Sequence, residues 1–408
     1  MFSAIGSYFV TDNHYMCLLG IILFLGVAFL FSNNKKKIKI ERVLAGLGLQ
    51  FALALFVLKT EIGYRFFSAL AAGFGQIYSF TDAGIKFAFG NLIDAQGPWG
   101  FLFIVKVVPI IIFFGAFMAL LYHIGVIQFF VRVLSFVIRP LLGTSGAETL
   151  CATANSMLGP TESPLLVKKY LKNMTDSEMF VVMVAGMSTL AASVMAVYGS
   201  LGVPMIHIIT ASVMSVPGAI LVSKIMIPET KIPETAAGNK FEMKKDTANV
   251  LDAISAGTYD GLKLAAGVAA MLIAFLSLMA MVDYLLLTLT GYDLNVIFSK
   301  LFSSVAIFLG IGAEDRGAAG ALLGQKLVLN EMIAYLNFVK MTLAARSKII
   351  LTYALCGFAN ISVIGILIGG VGALAPSKRG VLTRLGWKAL LGATLVNLLN
   401  AAIAGLLI

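Results

Sequence analysis

Apolar positions in this chain fall in long blocks. They are not arranged in the one-sided stripes of a water-soluble helix. The blocks are Met16–Phe31, Val43–Leu58, Phe101–Tyr122, Met179–Tyr198, Ile206–Ile227, Leu264–Leu287, Lys348–Gly370 and Ala389–Ile408. Each is close to the ~20 apolar residues that a helix needs to cross a bilayer's hydrocarbon. They predict eight spanning helices. Val126–Leu142 is also apolar, but Arg132 and Arg139 interrupt it at a spacing that puts both on one helical face. That pattern predicts a helix lying along the membrane surface. Ile62–Asp94 is weaker, because Gly, Ser and Asp divide it into short apolar pieces. It reads as an interfacial or partly re-entrant helix.

The polar punctuation sets an orientation. Lys35, Lys36, Lys37, Lys39 and Arg42 follow the first block. A secretory signal carries its charge before the apolar run and ends in a small-residue cleavage site. The opposite order here predicts a first helix whose N-terminus is outside. Basic loops stay on the cytoplasmic side. Lys231, Lys240, Lys244 and Lys245 follow the fifth block, and Lys378, Arg379, Arg384 and Lys388 follow the seventh. Lys168, Lys169 and Lys172 precede the fourth. Counting spans from an outside start places all four basic groups inside and the C-terminus outside.

Composition agrees and narrows the class. Of the 408 residues, 59% are hydrophobic and 12% are charged. A soluble chain has about 25% charged residues, and half that density cannot cover a soluble surface. The net charge of +10 lies in the loops between apolar blocks, so it marks topology and predicts no nucleic-acid partner. Cys17, Cys151 and Cys356 are isolated in apolar runs, and His14, His123 and His207 are scattered. Neither set has the spacing of a disulfide framework or a metal site. The Ser in Leu142–Gly146 lacks the full spacing of a hydrolase nucleophile turn.

Two segments are too polar to span simply. Gly143–Val167 lies between two inside ends, and Gly317–Met341 lies between two outside ends, so each must enter and leave on one side. Each is long enough for two short helices and a tip. The first tip contains Asn155, Gly159, Pro160, Thr161, Glu162 and Pro164, and the second contains Asn330 and Glu331. A carboxylate at membrane depth costs about 2.5–3.5 kcal/mol on insertion scales. Glu162 and Glu331 are therefore the leading functional candidates. An echo follows each hairpin at a nearly equal interval, as Gly186-Met187-Ser188-Thr189-Leu190-Ala191 and as Gly357-Phe358-Ala359-Asn360-Ile361-Ser362. The unit is a hairpin with a Glu, then a span with a polar break. Its two copies open on opposite faces. An inverted repeat of this kind places solute and ion sites near the midplane, at discontinuous helices.

Residues 159–164 (Gly-Pro-Thr-Glu-Ser-Pro), Asn330-Glu331 with Ala334-Tyr335, Cys356–Asn360, and Ala375-Pro376 after a Gly-rich run together resemble the concentrative nucleoside transporter family. The resemblance runs from about Pro109 to the C-terminus, in the family's order. It implies an all-α polytopic fold of eight transmembrane helices, two re-entrant hairpins of opposite orientation and interfacial helices, assembled as a homotrimer. It implies an elevator-type symporter and no enzyme. Nucleoside is the solute, sodium is the coupling ion, and there is no other cofactor. Thr161 and Glu162 would face the nucleobase, with Val194 packed on it. Glu331 and Asn360 would hold the ribose hydroxyls, and Phe358 would line the pocket. Asn155, Leu158, Thr189 and Leu190 would bind sodium. Two positions depart from the family, Pro160 where Gln is usual and Val363 where Ser is usual, and both bear on substrate choice.

The division expected from these readings is 1–100 for the N-terminal helices and 101–142 for a scaffold span with its interfacial helix. Residues 143–227 form a first transport repeat, 228–316 a cytoplasmic loop, scaffold span and interfacial helix, and 317–408 a second repeat. The expected setting is a bacterial inner membrane with both termini on the periplasmic or outer side. Three plainer readings stand beside these. Glu162 and Glu331 pair with nearby lysines, Asn155 and Thr189 only bond helix ends, and Glu314-Asp315-Arg316 is a solvated turn. Proton coupling, a modified nucleoside, or a gate protein that binds nucleosides without moving them are the alternatives in function.

Overall fold

The structure, a computed structural model, describes residues 13–94, 97–100, 102–236 and 247–408. Phe101, Lys240, Lys244 and Lys245 lie outside the described residues. Every regular element among those described is helical. Helices α1 (His14–Leu30) and α2 (Ile40–Lys59) are the first two apolar blocks. The weaker segment that follows is also helical. The structure has one continuous helix, α3 (Glu61–Phe89). Its Asp82 accepts from Lys106 of the next helix at 2.8 Å.

Helix α4 (Phe103–Ile124) carries that lysine and leads into α5 (Val126–Leu142), the helix with both arginines. Aromatic and aliphatic side chains on α5, Phe129, Phe136 and Val137 among them, are exposed, as on a helix lying in the headgroup region. Helix α4 packs face to face with α11 (Val250–Thr290), 41 residues long. At ~1.5 Å per residue such a helix is about twice a bilayer's hydrocarbon thickness, so it must cross at a steep tilt or extend beyond it. Glycines make the crossing close. A Cβ on Gly257 would stand 2.5 Å from the Gly115 carbonyl oxygen, and one on Gly261 would stand 2.9 Å from that of Ile111. Small residues of this kind let membrane helices meet at backbone distance.

The first re-entrant segment begins with α6 (Gly146–Ala154), continues through an irregular tip, and returns through a 3-10 turn (Ser163–Val167) and the short α7 (Lys168–Leu171). The fourth span is two half-helices, α8 (Asp176–Ser188) and α9 (Ala192–Ser200). Helix α10 (Met205–Met226) is the fifth span. The shorter apolar α12 (Leu294–Phe308) precedes the second hairpin, whose arms are α13 (Arg316–Val328) and α14 (Glu331–Phe338). The seventh span is again split, into α15 (Ala345–Leu355) and α16 (Ile361–Leu374), and α17 (Arg379–Leu407) is the last. By length and apolarity, six segments among the described residues can each cross a bilayer, the split fourth span taken as one. The first span is the shorter α1, and the seventh is shared between α15 and α16.

The fourth span lies inside the protein, and of the seventh the half α15 is largely buried while α16 is only partly so. Nearly all of Asp176–Ser200 is buried, whereas α11 is mostly exposed. Unwound backbone at membrane depth is tolerated only where protein or a wet cavity surrounds it. The base of the first hairpin is fastened to the fourth span by two interlocked capping boxes, Ser145 with Glu148 and Thr175 with Glu178. The Ser145 hydroxyl donates to Glu178 at 2.6 Å, and Lys224 of α10 donates to Glu148 at 2.6 Å. The turn 314–316 is not simply solvated. Asp315 is buried and accepts from the Ala344 backbone N–H at 3.0 Å. This carboxylate closes the base of the second hairpin by joining its two ends.

Candidate substrate and ion site

The two breaks meet back to back. Helix α8 stops at Ser188, where the chain turns extended at Thr189. Helix α15 stops at Leu355, and Gly357 takes a φ of +146°. A Cβ there would stand 2.6 Å from the Asn397 amide oxygen and 2.7 Å from the Ser188 carbonyl, so the position demands glycine on both counts. The Phe358 N–H donates to the Thr189 carbonyl at 3.2 Å, and the Ala192 N–H donates to the Met157 carbonyl at 2.9 Å. These N–H groups would have served Ala354 and Ser188 had the helices continued.

The second half brings its predicted residues together. Asn330 caps α14 by accepting from the Ile333 N–H at 2.9 Å, and Asn360 caps α16 by accepting from the Val363 N–H at 3.2 Å. The cap fixes Asn360's amide NH₂, which donates to Glu331 at 3.0 Å. The Tyr198 hydroxyl donates to the other Glu331 oxygen at 3.0 Å. Its ring lies 4.4 Å from that of Tyr335, whose hydroxyl donates to the Thr352 carbonyl at 2.9 Å. A carboxylate has about four acceptor sites, so these side-chain donors leave Glu331 with acceptor capacity to spare. Glu331 forms no ion pair with Lys326 or Lys340 among the described residues.

Glu162 stands apart from this cluster. It accepts from the Gly159 N–H at 3.2 Å, and among the described residues it forms no ion pair with Lys168. With Leu158, Ala191 and Ser193 it lines a cavity of about 240 Å³ between the first hairpin and helices α4 and α11, whose walls include Phe114 and Asp260. Val194 is buried beside that cavity and is not part of its lining. Thr161 packs at the tip against Gly370 of α16, and the Pro160 ring lies against Gly186 of α8. Val363 is buried, and Phe358 is partly buried.

The predicted ion residues show one unusual atom. Asn155 is fully buried, and its NH₂ donates to the Cys151 carbonyl at 3.1 Å, but its side-chain oxygen has no hydrogen-bond partner. That oxygen faces Gly186, the last turn of α8. The Thr189 hydroxyl donates to the Ala185 carbonyl at 2.8 Å, leaving its oxygen's lone pairs as acceptors. Both residues thus bond helix ends, as the plain reading held, and the Asn155 oxygen is left over. A buried acceptor without a donor costs about 1–3 kcal/mol and suits a cation of modest charge.

Two residues here escaped the sequence reading, Tyr198 and Asn397. Polar groups within apolar blocks were the available signal for Tyr198 and Asn397, but a membrane tyrosine or asparagine alone does not say what it touches.

Buried half-helices meeting at two breaks, each with a re-entrant hairpin bearing a carboxylate, define a polytopic secondary transporter built from inverted repeats. Comparisons give the family. Residues 207–405 match the model described as "Na+ dependent nucleoside transporter C-terminus", residues 19–92 its N-terminal counterpart, and residues 104–205 a "Nucleoside recognition" gate model. An uncharacterized transporter of Haemophilus influenzae is 41% identical, over 96% of this chain and 97% of its own. The nucleoside permease NupC of Helicobacter pylori is 38% identical, over 95% of this chain and 96% of its own. The inward-facing, substrate-bound structure of CNTnw superposes with a TM-score of 0.92 at 38% identity, over 96% of this chain and 97% of that one. The chain belongs to the concentrative nucleoside transporter family, a multi-pass membrane family of nucleoside transporters and not of enzymes.

Proposed function

We propose that this protein is a sodium-driven nucleoside symporter of the inner membrane. The observation that carries sodium coupling is the buried, partnerless side-chain oxygen of Asn155. Sodium takes neutral oxygens readily, and half-helix ends with unwound carbonyls supply them. In this reading Asn155 and Thr189 contribute side-chain oxygens, and Leu158 and Leu190 contribute carbonyls. Glu331 accepts from two ribose hydroxyls while Asn360 and Tyr198 hold it in place. Thr161 and Glu162 meet the nucleobase, with Phe358 and Val194 as apolar neighbours. The hairpins and broken spans move as one body against a scaffold of α4 and α11, and the cavity at Glu162 lies on that seam. The working assembly is a homotrimer with both termini on the outer side.

Uptake into proteoliposomes tests the coupling. Sodium outside and choline inside should drive accumulation of radiolabelled nucleoside, and Asn155→Ala should remove the sodium dependence. Equal uptake in choline and sodium, with collapse when a proton gradient is dissipated, would make the protein a proton symporter.

A further inference from the structure

Lys326 is a cation buried in the second repeat, 4% exposed. Among the described residues it forms no ion pair with Glu331, and nothing in the proposed chemistry uses it. Its ammonium donates to the Ala354 carbonyl at 2.7 Å and to the Asn397 amide oxygen at 2.6 Å. The NH₂ of Asn397 donates to the Ser188 carbonyl at 2.8 Å. Ala354 and Ser188 are the last-turn residues whose carbonyls lost their helical donors at the two breaks. The carbonyl end of a half-helix carries partial negative charge, and the ammonium stands at that end of α15.

The place it occupies has a counterpart. Asn155 ends the first arm of hairpin one, shortly before Glu162, and its oxygen faces the last turn of α8. Lys326 lies near the end of the first arm of hairpin two, shortly before Glu331, and its ammonium bonds the last turn of α15. The repeats therefore put a buried acceptor without a donor at one position and a tethered cation at the other. We propose that Lys326 is a built-in substitute for a second sodium ion. The second repeat holds its positive charge covalently, and the transporter exchanges one sodium per chain. This rests on the sodium-coupled reading above.

The test uses the purified full-length protein in detergent, with sodium-22 binding by equilibrium dialysis and thermal unfolding against sodium concentration in choline-balanced buffer. The wild type should bind one sodium per chain, and Asn155→Ala should bind none. Lys326→Asn gives the second repeat the neutral oxygen that the first has, so this variant should bind two. The double variant Asn155→Ala, Lys326→Asn should regain a sodium-dependent rise in melting temperature that Asn155→Ala alone lacks. Lys326→Arg keeps a tethered cation and should bind one. Two ions on the wild type would overturn the proposal, as would a folded double variant indifferent to sodium. If no Lys326→Asn protein folds, the wild-type count decides the matter alone. A wild type that binds no sodium would instead overturn the sodium-coupled reading itself.

Discussion

Glu331 shows how a costly residue is kept. It is 5% exposed and is held by two donors, Asn360 and Tyr198, leaving acceptor sites for a solute. Hydrogen bonds to a charged group contribute about 1.5–3 kcal/mol. Glu331→Gln should therefore weaken nucleoside binding by roughly one to two decades, and a 3′-deoxynucleoside should lose little more in that variant. Calorimetry on the purified protein measures both, and wild-type affinity in the variant would remove Glu331 from the site. Tyr198→Phe deletes one donor and keeps the ring on Tyr335. It should weaken nucleoside binding by up to about tenfold, a loss of order 1 kcal/mol, and leave sodium binding unchanged. Val363→Ser tests the departure on the sugar side. If that position faces the ribose, binding of an ordinary ribonucleoside should tighten by about 0.5–1.5 kcal/mol, and a sugar-deoxy analogue should gain less. Equal weakening of every nucleoside would make Val363 packing alone, a role its burial already serves.

At the scale of elements, two joints differ in kind. The base of the first hairpin is an electrostatic joint. Lys224 and Glu148 are both nearly buried, and removing one partner of such a pair costs about 3–5 kcal/mol. Lys224→Met should lower the melting temperature sharply, and Glu148→Gln in the same chain should recover part of it. The α4–α11 crossing is a steric joint. Gly257→Ala forces a Cβ to within 2.5 Å of the Gly115 carbonyl oxygen, whereas Gly267 on the same helix has nothing within 4 Å. Gly257→Ala should destabilise by about 1–3 kcal/mol, the range for overpacking, and Gly267→Ala should be neutral or slightly stabilising. Thermal unfolding of the two variants side by side separates the effects of space and helix propensity.

For the whole molecule, burial divides the chain into an inside and a rim. The fourth span and most of α17 are buried, and α11 turns most of its apolar surface outward. The cavity at Glu162 runs along the boundary, and Ala256 of α11 lines it. If the buried body slides along this seam, Ala256→Trp should stop uptake in proteoliposomes while the purified variant still binds nucleoside. Normal uptake by that variant would argue that the seam stays shut during transport.

By itself, the sequence determined the spans, the surface helix carrying Arg132 and Arg139, and both hairpins with their carboxylates. In lipid, apolar length is a local property that reads directly from consecutive residues. It also made Asn360 and Glu331 candidates, because a polar group at membrane depth needs a reason. Only the tertiary structure decided what those groups touch. Asp82 of α3 meets Lys106 of α4, Asp315 is buried at the base of a hairpin, and Tyr198 reaches Glu331 across the repeat boundary. Lys326 finds Asn397, and Asn155 keeps one oxygen free. Each of these depends on side chains far apart in sequence arriving within about 3 Å of each other, or failing to. No local pattern encodes that, because the pairing is fixed by how the helices pack.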